Sequence, residues 1–210
     1  MILVLPSIIL FICWKRTIVD IYSYTVILMV AHPDDEVLFA YPALMARNCH
    51  VVCMTSGSNH ERKAEYTNVM NLVNTSRNQK GLQPLGFAML DFPEEQQWAL
   101  KKTAARVVEV VQASGFTNTM DTHSCAVVSH GSQGEYGHRD HKLTHKVAKK
   151  VCMMLKVKKF VWFRMVYDMM PDEFSPACAL RNSLLDLYKS QSASVNLCRN
   201  YYSENPKRKF

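Results

Sequence analysis

Thr25-Val26-Ile27-Leu28-Met29-Val30, followed by Ala31-His32-Pro33-Asp34-Asp35-Glu36, is the stretch that sets the fold class. The first six residues form an unbroken apolar, partly β-branched run, the pattern of a strand buried on both faces. The run stops at a His-Pro pair. Acidic residues suit the first turn of a helix, so Asp34-Asp35-Glu36 opens one that continues through Leu38, Phe39, Leu44 and Met45, kinked at Pro42.

The same strand-loop-helix order repeats downstream. A second strand is expected over 50–54, a turn at Thr55-Ser56-Gly57-Ser58, and a helix over 61–73 with Ala64, Val69, Leu72 and Val73 on its apolar side. Further strands fall at 87–90, 125–129 and 159–167. Further helices fall at 101–113, stopped by Gly115, and at 143–155, through Leu143, Val147, Val151 and Leu155. Alternation of this kind predicts an α/β sandwich. Ligands of open parallel sheets bind outside the carboxyl ends of the strands, so residues 31–36, 55–62, 91–95 and 130–141 are expected to share one rim.

At 210 residues and 24.1 kDa the chain has the size of one domain with a substantial core. Its 48% hydrophobic and 20% charged residues exclude a disordered, collagen-like or coiled-coil chain. Seven cysteines, an odd number without CxxC spacing, read as buried thiols in a reducing compartment and argue against secretion and against a thiolate metal site. The net charge of +7 gathers late, in Lys149, Lys150, Lys156, Lys158, Lys159 and Lys207-Arg208-Lys209. No helix-turn-helix, zinc-finger or aromatic-basic motif accompanies it, so it reads as a solvated face and a frayed tail, with no nucleic-acid partner expected. Residues 1–14 are apolar but shorter than the ~17 residues a spanning helix needs, and they contain Pro6. They are either an extra buried segment or a membrane anchor, with Lys15-Arg16 keeping the rest of a cytoplasmic protein on the cytoplasmic side.

Two of the rim loops concentrate metal-competent side chains: His32, Asp34, Asp35 and Glu36 in the first, and Glu135, His138, Asp140 and His141 in the last, where Gly131, Gly134 and Gly137 also cluster. Adjacent aspartates at a strand end repel one another unless a cation lies between them. Imidazole with carboxylate suits zinc, and a catalytic zinc takes three protein ligands and leaves a position for water. His32 and Asp35 with one distant histidine meet that count. By spacing, His141 and His145 are equivalent for the third place, because residues four apart share a helix face. His50, His60, His123 and His130 show no partner pattern and read as ordinary histidines.

Ala31-His32-Pro33-Asp34-Asp35-Glu36 and Gly134-Glu135-Tyr136-Gly137-His138-Arg139-Asp140-His141 together resemble the LmbE-like zinc deacetylases, related to the GlcNAc-phosphatidylinositol de-N-acetylases (PIG-L). Thr55-Ser56-Gly57 with Arg62 and Glu65, a stretch ending at Glu94, and Tyr188-Lys189-Ser190-Gln191 extend the match to roughly residues 25–192. The resemblance implies a Rossmann-like three-layer sandwich with a mostly parallel central sheet, spanning 21–195 between an apolar segment at 1–20 and a basic tail at 196–210. It also implies one zinc, or iron(II) in its place, and removal of an N-acetyl group from an N-acetylglucosamine-containing substrate, releasing acetate and a free amine. In that reading His32, Asp35 and His141 hold the metal and Asp34 is the general base. His138 faces the substrate carbonyl, with Asp140 as its partner.

Tyr136 either reaches the oxyanion or departing amine or lines the sugar pocket, and Arg62 and Glu94 grip sugar hydroxyls or an anionic aglycone. The direct run from Gly57 to Arg62 departs from the longer glycine-rich loop of the phosphatidylinositol branch. The substrate is therefore a small amino sugar or, if the N-terminus is an anchor, a glycolipid. Competing classes are a catalytically silent sugar-binding protein of the same fold and a basic surface that binds nucleic acid or membrane.

Overall fold

The computed structural model describes residues 21–163 and 179–196. Five strands, β1 (Thr25–Val30), β2 (Asn48–Cys53), β3 (Gly86–Met89), β4 (Cys125–Ser129) and β5 (Lys159–Trp162), form one all-parallel sheet in the order β3-β2-β1-β4-β5. Strand order reverses between β1 and β4, the position outside whose carboxyl ends open parallel sheets place their ligands.

Every residue of β1 is buried, as its unbroken apolar run requires, and the strand's period of two divides them between two cores. Val26, Leu28 and Val30 pack toward α1 (Asp35–Leu38), α2 (Tyr41–Leu44), α3 (His60–Gln79) and α6 (Ala179–Leu185). Ile27 and Met29 pack toward α4 (Leu100–Ala113) and α5 (Arg139–Met154). The chain is an α/β three-layer sandwich of Rossmann-like form.

Beyond shifts of one or two residues, four boundaries differ from the sequence reading. The single helix kinked at Pro42 is two separate turns, α1 and α2, because buried Arg181 donates from Nε and Nη2 to the Val37 and Leu38 carbonyls at 2.9 and 2.8 Å, satisfying the acceptors freed where α1 stops. The α3 helix continues past Val73 through a polar turn that ends in buried Arg77, whose guanidinium binds the carbonyls of Leu44, Ala46, Arg47 and Gln83. The α5 helix begins four residues earlier than its apolar period shows, since its first turn carries Asp140 and His141 rather than core residues. The last strand ends at Trp162; residues 164–167 of the expected strand lie outside the described residues.

The expected 1–20 segment with its candidate anchor, and all of the basic tail beyond residue 196, also lie outside the described residues. Among the described residues no helix is long and apolar enough to cross a membrane. Cys49, Cys53, Cys125 and Cys152 are buried free thiols.

Candidate metal centre

The register Met29↔Ser129 sets the ends of β1 and β4 side by side, so the loops that follow them emerge together. The Ala31 N–H donates to Nε2 of His130 at 3.0 Å across that seam. The α5 helix then starts under the same crevice, with Asp140 and His141 in its first turn. Each of the four rim loops holds one non-glycine residue at positive φ: Asp34 (103°), Ser56 (66°), Glu95 (56°) and Glu135 (43°). Such conformations cost about 1 to 3 kcal/mol each and gather at functional sites.

The first motif folds onto itself. The His32 N–H donates to Asp35 Oδ2 at 2.8 Å, and His32 Nδ1 lies 3.4 Å from the same oxygen. Asp35 Oδ1 is 3.4 Å from His141 Nε2. The rings of His32 and His138 are 4.7 Å apart and those of His32 and His141 5.3 Å. Candidate ligand atoms of His32, His138 and His141 lie within 4.8 Å of one another, as do those of Asp35, His130 and His141. The two motifs, about a hundred residues apart in sequence, therefore reach one point.

The donor set fits a divalent cation on a specific observation: Nε2 of fully buried His141 has no hydrogen-bond partner, while its Nδ1 is held by Glu135 at 2.7 Å. An imidazole tied at one nitrogen to a carboxylate and bare at the other is the arrangement of a metal ligand.

Electrostatics agree. Burial pushes the Asp35 carboxyl up, but His141 and His130 outweigh it and hold the group well below the usual range. Burial, with neighbouring His130, lowers His141 to about 4. Burial likewise opposes a charge on His32, yet hydrogen bonds to Asp140 and Asp35 carry it to about 10. The negative ring that raises the affinity of His32 for a proton is the one a metal ion would meet. Asp34, buried beside Asp35 and Glu36, is pushed well above the carboxylate range by desolvation and by those two charges.

Some expected partners are placed differently. The Asp140 carboxylate does not turn to His138: it lies 3.3 Å from His32 Nε2 and accepts the Glu95 N–H at 3.1 and 2.9 Å, while only the Asp140 backbone N–H reaches His138 Nδ1, at 3.2 Å. The reason is helical geometry, since His138 caps α5 and Asp140 sits inside its first turn, facing the other motif. Burial and the neighbouring His32 lower the His138 pKa. His145 points away from the cluster, with Nδ1 on the His130 carbonyl at 2.8 Å and its ring against Phe160, so the ambiguity with His141 is resolved in favour of His141 as the cluster member.

Tyr136 is 61% exposed, with its ring 5.1 Å from His141 and 5.8 Å from His138. Arg62 and Glu94 pair with each other at 2.6 Å; Arg62 also donates to Ser56 and Gln191 at 2.7 and 2.6 Å. Glu36 is a buried carboxyl pushed to about 8 by desolvation, receiving the Tyr188 hydroxyl and the Asp34 N–H.

Sequence reasoning missed His130, which is fully buried, bonded through Nδ1 to Glu135 at 2.7 Å, and stacked on His141 at 4.0 Å. Its signal was positional: it is the first residue after β4, the strand that flanks the crevice with β1.

Sheet order and a His-Asp-His cluster define a Rossmann-like α/β protein with a metal-competent centre at its switch point. Residues 27–152 match the family described as PIG-L, GlcNAc-PI de-N-acetylase, and the chain belongs to that family. A deacetylase-type hydrolytic function follows from membership. The chain is also 22% identical over 200 residues, 86% of its own length and 76% of the other's, to "Uncharacterized protein L374" of Acanthamoeba polyphaga mimivirus.

Proposed function

We propose that the protein is a zinc-dependent N-deacetylase that cleaves the acetamide of an N-acetylglucosamine-containing substrate, with His32, Asp35 and His141 holding the metal. The observation that carries this reading is the bare Nε2 of His141 facing Asp35 within a family of de-N-acetylases. When bound, zinc supplies a Lewis acid that brings a water near neutral pKa, about 7; iron(II) suits the same donors.

Asp34 is the general base. It is buried next to Asp35, held at a φ of 103° in the loop after β1, and it takes the water proton and returns it to the leaving nitrogen. His138, whose ring lies beside His32 and His141, donates to the oxyanion that develops on the acetyl carbonyl. Tyr136, exposed beside both histidines, closes over the same oxyanion or the departing amine. Arg62 and Glu94, fixed to each other and to Ser56, present an acceptor and donors to the sugar hydroxyls. Asp140 serves by orienting His32.

The substrate is an amino-sugar conjugate, either small or carrying a lipid aglycone. The test is release of free amine from N-acetylglucosamine conjugates by zinc-loaded protein. Wild type is expected to be active, and Asp34→Asn and His141→Ala to lose at least a hundredfold in rate. Equal amine signal from all three would refute the assignment.

A further inference from the structure

One carboxylate oxygen receives two buried imidazoles. Glu135 Oε2 lies 2.7 Å from Nδ1 of His130 and 2.7 Å from Nδ1 of His141, and Oε1 accepts the Gly131 N–H at 2.9 Å. Positive φ at Gly134 (67°) and Glu135 (43°) turns the loop back so that the carboxylate reaches both Nδ1 atoms. The Ala31 N–H occupies the Nε2 lone pair of His130, so the proton of that ring sits on Nδ1 and is donated to Glu135. An ionised carboxylate only accepts, so His141 also carries its hydrogen on Nδ1.

We propose that Glu135 is a positioning residue for the metal centre: it locks His141 in the Nδ1–H tautomer with the Nε2 lone pair turned toward Asp35, and His130 is the second anchor that keeps the carboxylate in place. The role goes beyond the ligand set, and it rests on the reading of His141 as a ligand. Carboxylates behind metal-bound histidines fix tautomer and ring orientation, and their loss typically weakens metal binding about 10- to 100-fold.

The experiment titrates metal-free protein with cobalt(II), followed by its visible absorption, and with zinc against a chromophoric chelator. His141→Ala is expected to abolish binding and Glu135→Ala to weaken it about 10- to 100-fold. Glu135→Gln, whose amide oxygen still accepts one Nδ1–H, is expected to fall between Glu135→Ala and wild type. Long-range proton-nitrogen NMR of the metal-free imidazoles is expected to show His141 protonated at Nδ1 in wild type and redistributed toward Nε2 in Glu135→Ala, a signature that a purely structural loop contact would not move. Binding by Glu135→Ala within threefold of wild type, or an unchanged His141 tautomer, overturns the proposal while leaving the ligand assignment intact. Wild-type binding by His141→Ala would instead overturn the ligand assignment, and the proposal with it. If Glu135→Ala does not fold, Glu135→Leu, which fills the space without accepting a hydrogen bond, is read by the same thresholds.

Discussion

Asp140 Oδ2 lies 3.3 Å from His32 Nε2 across 108 residues of sequence, and with the Asp35–His141 contact it ties the two motifs into one site. The bond turns Nδ1 of His32 toward Asp35 Oδ2, 3.4 Å away. Asp140→Asn keeps the shape but removes the charge. Metal affinity is expected to fall about tenfold or more, as for other groups behind a ligand histidine, measured by chelator competition. Unchanged affinity would show that His32 is oriented by its own loop alone.

His141 and His145 separate cleanly in a paired substitution. His145→Asn is expected to leave metal affinity within threefold of wild type, because its Nδ1 already serves the His130 carbonyl. His141→Ala is expected to eliminate binding. Isothermal titration with zinc reads both, and a reversed order would move the third ligand one turn along α5.

Gly134 permits the turn that begins the site's second half. A Cβ there would meet the His138 carbonyl oxygen at 2.6 Å and the His141 Cβ at 3.1 Å, and φ is already +67°. Gly134→Ala is expected to cost about 1 to 3 kcal/mol from the backbone conformation alone, with further loss from the contact. Urea denaturation measures the stability change, and metal titration should show weakened binding in the folded fraction.

His50 gives the fold an acid limit away from the His-Asp cluster. Its ring is buried against Phe116, its Nε2 has no hydrogen-bond partner, and desolvation lowers its pKa from 6.5 to about 4. The unfolded chain therefore binds this proton more tightly than the folded one. The stabilising contribution is complete above pH 6.5 and falls by about 1.4 kcal/mol per pH unit as the pH drops toward 4. Urea midpoints between pH 4.5 and 7.5 should show a steeper acid loss in wild type than in His50→Phe; identical slopes would assign the loss to other groups.

Arg77 locks the end of α3 to the chain after α2. Arg77→Met keeps the stem and strips hydrogen bonds from four carbonyls, two of which are bound by a single nitrogen, Nη1. A loss of about 3 kcal/mol is expected, because charged donors to buried carbonyls are worth ~1.5 to 3 kcal/mol each and are not additive. Chemical denaturation reads this, and metal affinity measured on the folded variant should stay near wild type.

The sequence by itself determined the strands of the sheet, because a run buried on both faces, such as 25–30, must be apolar throughout, and it marked both halves of the site, because carboxylates and imidazoles are costly to gather without a purpose. It under-read α3 and α5 at Arg77 and Asp140, where polar residues are buried by hydrogen bonds that leave no periodicity. Only the tertiary structure decided which carboxylate faces which histidine. His130 was an ordinary residue in the sequence and became part of the cluster because β4 lies beside β1; Asp140 turned from its neighbour to His32 because a helix's first turn faces across the crevice. Pairing across a parallel sheet is set by strand order, and strand order is a property of the packed layers that no local stretch of chain contains.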